Sequence, residues 1–195
     1  MRYLLFLTLL ASACMSKPTA NSVAPTGTNP KTDGTKTLYS FPEQNRGNWR
    51  LQNDTVMGGR SQADLSMTDE GHARFSGRVS LENNGGFCSI HQETDDPYVV
   101  ADKSSFQLRL QGDGADYKFR VRTPNGRHLY GFTFPTQAGK WETISIPFAA
   151  MTAQWRGRDV DVPNYAGEDI LEMQLLIGNG KEQSFVILVE EIAAL

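Results

Sequence analysis

The sequence lacks several features that would mark it as an enzyme, a metalloprotein or a nucleic-acid-binding protein. Its three histidines are far apart, and none lies at the short spacing of a zinc site. No Ser-His-Asp order, phosphate-binding loop or catalytic carboxylate pair can be recognised. The formal charge of −3 at pH 7 gives no general attraction to nucleic acid. We therefore predict a non-catalytic domain with no metal, no cofactor and no nucleic-acid partner.

Long apolar runs are absent as well, and this affects how the N-terminus is interpreted. The apolar run from Tyr3 to Leu10 is far shorter than the roughly 20 residues of a membrane-spanning helix. Arg2 precedes it, and small residues, Ala11-Ser12-Ala13, lead to Cys14 as in a lipobox. Residues 1–13 are predicted to be a lipoprotein-type signal peptide, with lipid on Cys14. Ordinary secretion, with cleavage after the Ala11-Ser12-Ala13 triplet, is the alternative.

The signal peptide would export the protein, and lipid on Cys14 would anchor it to a membrane of the cell envelope. Met15 stands where an aspartate would favour inner-membrane retention, so we predict the outer membrane if the organism is Gram-negative. Residues 14–37 consist almost wholly of Ser, Thr, Pro, Gly, Asn and Lys, which cannot bury enough surface to fold. They are predicted to be a flexible tether, followed by a single folded domain at residues 38–195.

The folded region alternates apolar and polar residues, as strands with one buried face require. Phe106 to Leu110 and Tyr117 to Arg122 are clear examples, and the turn-rich segment between them predicts a hairpin. The other predicted strands are Ala63 to Met67, Phe75 to Leu81, Phe87 to His91, Tyr130 to Phe134, Trp141 to Phe148, Leu171 to Ile177 and Phe185 to Ile192. About nine or ten strands and no long helix predict an all-β fold, a β-sandwich or jelly roll.

The sequence allows the burial of four side chains to be predicted. Cys88 lies between Phe87 and Ile90 and is predicted to be a buried core residue, because a lipidated Cys14 leaves it no disulfide partner. A catalytic thiol is the alternative for it. Trp49 and Trp141 are predicted to pack in the core, whereas Trp155, which adjoins two arginines, is predicted to be partly exposed.

Three glycine-containing motifs lie in the folded region. One runs from Trp49 through Asn53-Asp54 and Gly58-Gly59 to Ser61, one from Phe75 through Asn83-Asn84-Gly85-Gly86 to Phe87, and one joins Gly112-Asp113-Gly114 to Tyr117. Together with Trp141, Ile146-Pro147-Phe148 and Arg156-Gly157-Arg158, their order resembles the complex I intermediate-associated protein 30 family over roughly Phe41 to Ile192.

The resemblance implies a galactose-binding-like β-sandwich, in agreement with the strand pattern. It also implies a role in assembling NADH:ubiquinone oxidoreductase, which is what the best-known members of the family do. The export signal departs from the organelle-targeting segment of those members, so this role does not carry over by the resemblance alone.

The motifs also supply candidate binding groups. Amides and carboxylates beside paired glycines could hold sugar hydroxyls, with a sugar ring stacked on an aromatic face, and arginines could contact an anionic group. The same residue types also cap turns and satisfy buried backbone groups, which is an equally strong interpretation. The predicted ligand-binding residues are Asn53, Asp54, Arg60, Asn83, Asn84, Asp113, Trp155, Arg156 and Arg158.

Two functions stay open at this point. The favoured one is a scaffolding or assembly factor that captures an envelope protein, which predicts an exposed apolar patch or sheet edge. The alternative is a glycan-binding module, which predicts a concave site where Asn53, Asp54, Asn84 and Asp113 converge. An enzyme, or calcium held by oxygens of residues 113–116 or 93–96, is a weaker alternative.

Overall fold

The structure, a computed structural model, describes residues 34–195. The predicted signal peptide at residues 1–13, Cys14 and most of the predicted tether at residues 14–37 lie outside the described residues. The first strand begins at Lys36, near the end of that tether. Within the described part of the chain, no helix is long and apolar enough to cross a membrane.

Strands account for most of the described chain, and the longest helix has a single turn. The strands are β1 Lys36–Ser40, β2 Arg50–Asn53, β3 Gln62–Met67, β4 Ala73–Val79, β5 Cys88–Tyr98, β6 Ser105–Gln111, β7 Asp116–Arg122, β8 Leu129–Pro135, β9 Trp141–Pro147, β10 Thr152–Trp155, β11 Arg158–Asp159, β12 Ile170–Ile177 and β13 Gln183–Ala194. The helix α1 is Phe41–Gln44, and short 3₁₀ turns occupy Asp54–Met57, Glu82–Asn84 and Phe148–Ala150.

The strands form two antiparallel sheets. The six-stranded sheet has the order β3-β4-β13-β6-β9, with β1 paired to β13 as well. The seven-stranded sheet has the order β11-β10-β8-β7-β12-β5-β2. One hydrophobic core lies between them, because each sheet turns its apolar face to the other. The predicted all-β sandwich is confirmed.

The core is filled by residues from alternate positions of both sheets. Phe75 and Phe106 of the six-stranded sheet and Phe119 of the seven-stranded sheet are fully buried. Each contributes roughly 1.5–3 kcal/mol of burial free energy. Cys88 is also fully buried, as predicted, and burial raises the pKa of its thiol to about 12.

The predicted hairpin between Phe106–Leu110 and Tyr117–Arg122 is wrong. Strand β6 pairs with β9 and β13, whereas β7 pairs with β8 and β12 in the other sheet. The connecting segment therefore crosses from one sheet to the other. Alternation shows that one face of each strand is buried, but both sheets face the same core, so the pattern does not distinguish pairing within a sheet from crossing between sheets.

Two further expectations need correction or completion. Trp49 is buried against Tyr39 and Phe41, as predicted. Trp141 lies instead outside the core cluster, where its ring contacts His72 and the Arg109 guanidinium, 5.4 Å from the ring centroid.

Strand β2 was not predicted, because its residues are only partly buried and show no alternation.

Candidate functional site

The outer face of the seven-stranded sheet carries a row of polar side chains. In β7 the residues Tyr117, Phe119 and Val121 enter the core, so Lys118 and Arg120 face outward. Strand pairing aligns Arg120 with Gln174 of β12, Gln174 with His91 of β5, and His91 with Arg50 of β2. A second row aligns Gln52 with Ser89, and Ser89 with Leu176.

An open cleft of about 700 Å³ lies over part of these two rows, and its floor consists of Gln52, Ser89, His91, Arg120, Gln174 and Leu176. One wall consists of Met57 and the segment Asn84–Phe87, which begins at the last residue of the second 3₁₀ turn. The opposite wall consists of Leu129 and the turn at Arg156–Gly157 between β10 and β11. Polar groups of the floor are thus enclosed by a mixture of apolar and cationic side chains.

A chain of hydrogen bonds holds part of the floor in place. The Ser89 hydroxyl lies 2.8 Å from His91 Nε2, and His91 Nδ1 lies 2.9 Å from Glu172 Oε1. Arg122 Nε donates to Glu172 Oε2 at 2.8 Å, and Gln174 Nε2 donates to Glu172 Oε1 at 2.8 Å. The chain joins strands β5, β7 and β12 across the middle of the sheet.

Serine, histidine and glutamate connected in this order also occur in hydrolase triads, and this arrangement could not be recognised in the sequence. Glu172 is 81 residues from His91 and comes beside it only through the pairing of β12 with β5. Ser89 is 1% exposed, and its hydroxyl also donates to the Gln52 carbonyl oxygen at 2.9 Å. Its contacts therefore tie β5 to β2.

The electrostatics of Glu172 follow from this arrangement. Burial by itself would raise the pKa of its carboxyl. Hydrogen bonds from His91, Arg122 and Gln174 outweigh burial and lower the pKa from 4.5 to about 2. Both oxygens of Glu172 are therefore charged and already occupied by partners from the fold.

Arg120 differs from these residues. It lines the cleft, and its Nε is buried without a hydrogen-bond partner in the described part of the chain. Burial lowers the pKa of its guanidinium, although an arginine stays charged at neutral pH. Arg120 is thus a cation that no described carboxylate neutralises.

Asp54, a predicted binding residue, is instead part of the framework. It is 1% exposed and accepts hydrogen bonds from the backbone N–H groups of Ser61 at 2.9 Å and Gly86 at 2.6 Å, and from the Ser61 hydroxyl. These hydrogen bonds outweigh the effect of burial and hold the pKa of Asp54 below its ordinary value. Gly59 and Gly85 lie against its carboxylate where no Cβ would fit.

We call Asp54, Ser61, Gly86 and Phe87 the Asp54 clasp. Phe87 N–H also donates to Asp54, at 3.3 Å. The clasp joins the first glycine motif of the sequence to the second, which explains why both motifs place glycines beside polar residues. Gly59 of the first motif and Gly85 of the second thus allow close packing around this carboxylate.

Asp113 has a similar role elsewhere. Its carboxylate accepts hydrogen bonds from Ala115 N–H at 3.0 Å, the Tyr117 hydroxyl at 3.1 Å and Val186 N–H at 2.8 Å. It fixes the crossing segment between the sheets to β13. The predicted convergence of Asn53, Asp54, Asn84 and Asp113 on one concave site is therefore wrong, because both carboxylates are occupied by the fold in separate places.

The other predicted residues divide into two groups. Asn84 and Arg156 line the cleft, and Trp155, 41% exposed as predicted, lies beneath the Arg156 guanidinium at 5.4 Å from the ring centroid. The structure places the rest away from the cleft lining. Arg60 pairs with Glu82 at 3.1 Å, Asn53 Oδ1 is buried without a described partner, and Asn83 and Arg158 lie in the second 3₁₀ turn and in β11.

Sequence reasoning missed the residues of the cleft floor. Gln52, Ser89, His91, Arg120 and Gln174 are ordinary polar positions of strands until the register places them side by side. The signal available in the sequence was the alternation in Lys118-Phe119-Arg120, which places Lys118 and Arg120 on the face of the strand opposite to Phe119. In residues 34–195, no group of three or more His, Cys, Asp or Glu side chains could hold a metal ion.

Comparison with known proteins places this fold in a family. The sequence profile described as complex I intermediate-associated protein 30 matches residues 39–189. The chain belongs to the complex I intermediate-associated protein 30 family. The match includes the Asp54 clasp, Asp113 and every residue of the cleft floor. No curated protein is significantly similar to the chain in sequence.

The fold of this chain is similar to that of carbohydrate-binding modules in solved structures. It is similar to the family 11 carbohydrate-binding module from Clostridium thermocellum in complex with a β-1,3-1,4-mixed-linked tetrasaccharide, with 16% identity, TM-score 0.58, and coverage of 83% of this chain and 95% of that chain. A family 29 carbohydrate-binding module gives 9% identity, TM-score 0.51, and coverage of 82% and 89%.

A third similar structure is an exo-β-agarase, with 10% identity and TM-score 0.54. The match covers 82% of this chain but 25% of the agarase. At these identities the likeness shows the galactose-binding-like sandwich fold, and function has to be argued from the site.

Proposed function

We propose that this protein is a non-catalytic binding domain that holds an oligosaccharide in the cleft on the outer face of its seven-stranded sheet. The observation that carries the proposal is the lining of that cleft. Side-chain amides of Gln52, Asn84 and Gln174 lie among apolar groups of Met57 and Leu129. Amides can donate to and accept from hydroxyls, and apolar groups can contact the C–H face of a sugar ring.

The open shape of the cleft also favours a chain-like ligand. It runs over paired strands from β2 to β7 and is bounded by loops on two sides only. The similar carbohydrate-binding module from Clostridium thermocellum is described with a tetrasaccharide, and this supports the proposal by analogy of fold.

The test is a glycan array followed by calorimetry with two variants. Gln52→Ala removes an amide from the cleft, and Gln107→Ala removes a similarly half-buried glutamine from β6 in the other sheet. We expect the unaltered protein and Gln107→Ala to bind the same oligosaccharide, and Gln52→Ala to bind it roughly tenfold more weakly. Equal binding by all three would contradict the proposed site.

A protein partner is the second candidate, and one observation favours it. Val56 is 70% exposed, Met57 75% and Leu81 44%, and all three belong to or adjoin the 3₁₀ turns beside the cleft. The family name associates the domain with assembly of respiratory complex I. A patch of this kind is small for a stable interface, so it favours a transient contact.

The two candidates can be separated with a double variant, Val56→Ser with Leu81→Ser, at two exposed residues that do not line the cleft. If the domain is an assembly factor, one defined envelope protein should co-purify with the unaltered chain and be lost from the double variant. The same protein should be retained by Gln52→Ala. If only oligosaccharide binding responds to the variants, the assembly role is not supported.

We also propose that the chain is exported and attached to the cell envelope by lipid on Cys14. The lipobox-like Ala11-Ser12-Ala13-Cys14 supports this location. Mass spectrometry of the mature N-terminus should find a lipid-modified Cys14, and Cys14→Ser should move the protein from the membrane fraction to the soluble fraction. An unmodified N-terminus would contradict the anchor.

A further inference from the structure

Among the described charged residues in and beside the cleft, Arg120 has the fewest partners within the fold. Glu172, which lies on the neighbouring strand, already accepts hydrogen bonds from His91, Arg122 and Gln174. Lys118, two residues away on the same face, donates to Gln154 at 3.2 Å. Arg120 has no such partner among the described residues, and its Nε is buried. A guanidinium partly withdrawn from water without a counter-charge destabilises the fold, so the packing of the fold does not by itself explain an arginine at this position.

The surroundings hold the Arg120 side chain in position. A Cβ added to Gly131, its cross-strand neighbour, would lie 3.4 Å from Arg120 Cγ. The stem of the arginine thus passes closely over the bare glycine backbone of β8. This leaves the guanidinium at the cleft surface, where its fork of N–H donors can meet a ligand.

The charge of the cleft as a whole is positive. Its lining contains two arginines, Arg120 and Arg156, and none of the described residues that line it is an aspartate or glutamate. Arg156 lies at the rim, in a turn where its own φ is 50° and that of Gly157 is 76°. The chain as a whole has a formal charge of −3, so this cleft is a local exception.

We propose that the ligand is an acidic oligosaccharide and that Arg120 binds the carboxylate of a uronic acid residue in it. A planar guanidinium and a carboxylate match each other through two parallel hydrogen bonds, and such pairs are strong when partly buried. Arg156 extends the attraction to a second acidic unit along the chain. This inference rests on the proposed oligosaccharide-binding function and adds the class of sugar.

The test uses matched ligands. Oligogalacturonates and oligomannuronates are compared with the same oligomers after reduction of each carboxylate to a primary alcohol. The full chain, purified in mild detergent, is titrated with all four preparations by calorimetry. We expect the acidic forms to bind at least about tenfold more tightly than their reduced forms, and the difference to shrink at high salt.

Three variants assign the preference to a residue. Arg120→Gln should abolish the preference for acidic over reduced oligomers. Arg120→Lys, which keeps the charge but loses the paired N–H donors of the guanidinium, should retain part of this preference. Arg74→Gln, on the outer face of β4 in the other sheet, is the control and should leave binding unchanged. Thermal unfolding of Arg120→Gln should be unchanged or shifted upward, because an unpaired buried charge is removed.

The outcomes separate this inference from the function on which it rests. Equal binding of acidic and reduced oligomers would overturn the inference and leave oligosaccharide binding standing. An acidic preference that survives Arg120→Gln would overturn the role of Arg120. If no preparation binds and the glycan array is also empty, both the inference and the proposed function fall.

Discussion

The Asp54 clasp and the cleft floor are both polar regions withdrawn from water, but they differ in where their hydrogen bonds go. The Asp54 carboxylate is satisfied entirely by groups of its own chain, from Ser61, Gly86 and Phe87. Arg120 in the cleft has no partner among the described residues. Buried polar groups are normally satisfied, so the satisfied cluster is a structural feature. The unpaired charge of Arg120 differs because it also lines an open cleft, and this is the basis of the proposed ligand contact.

This difference predicts opposite effects of mutation. Asp54→Ala should cause the largest loss of stability, on the order of 4 kcal/mol, because it leaves several buried N–H groups without an acceptor. Urea denaturation should show a lower midpoint with an unchanged slope. Asp64→Ala, an exposed aspartate on β3, is the control and should change stability by less than about 0.5 kcal/mol. A small effect of Asp54→Ala on the free energy of unfolding would contradict the structural role of the Asp54 clasp.

Glu172 does not line the cleft, but it accepts hydrogen bonds from two residues of the cleft floor, His91 and Gln174, and it belongs with the satisfied groups. Lowering the pH should show how much its charge contributes to stability. A carboxyl whose pKa is lower in the folded than in the unfolded chain stabilises the fold above the unfolded value and loses that stabilisation as pH falls through the folded value. For Glu172 this window runs from 4.5 down to about 2. Stability of the unaltered protein should therefore decline over that range.

Glu172→Gln should cost about 2 kcal/mol at neutral pH, less than Asp54→Ala. Below the window the variant and the unaltered protein should converge, because Glu172 is then protonated in both states of the chain. Urea denaturation at a series of pH values measures the difference. A gap that persists unchanged at the acid end would show that the Glu172 charge is not what stabilises this part of the sheet.

Gln52→Ala should have the smallest effect on stability, less than about 0.5 kcal/mol, since its side chain faces the cleft and only its backbone carbonyl contacts Ser89. A thermal melt checks this beside the binding measurement. If Gln52→Ala loses binding but keeps its stability, Gln52 belongs with the groups that contact the ligand. A loss of stability like that of Asp54→Ala would instead show that Gln52 has a structural role.

Much of the fold could be predicted from the sequence, because burial of one face leaves a period of two. Strands β6, β7 and β13 were found in this way. The partner of each strand could not be predicted, and the crossing between β6 and β7 was interpreted as a hairpin for that reason. Alternation is a property of one strand, whereas pairing depends on the whole chain.

The site was less predictable for a related reason. Aspartates and asparagines beside glycines attract attention in a sequence, but Asp54 and Asp113 proved to be occupied by backbone groups. The residues of the floor, such as His91, Gln174 and Arg120, come from three strands and share a surface only through their register. Of the residues that line the cleft, only Asn84 and Arg156 were anticipated, both in turns at its sides.

The position of the binding surface can be tested most directly by titrating the isotope-labelled protein with the oligosaccharide that binds most tightly on the array and following backbone amide shifts by NMR. We expect the shift changes to be concentrated at Gly85, Ser89, Arg120 and Leu129, around the cleft. Changes confined to the segment Gly112–Ala115 or to strands β3 and β4 would place the ligand elsewhere and contradict it.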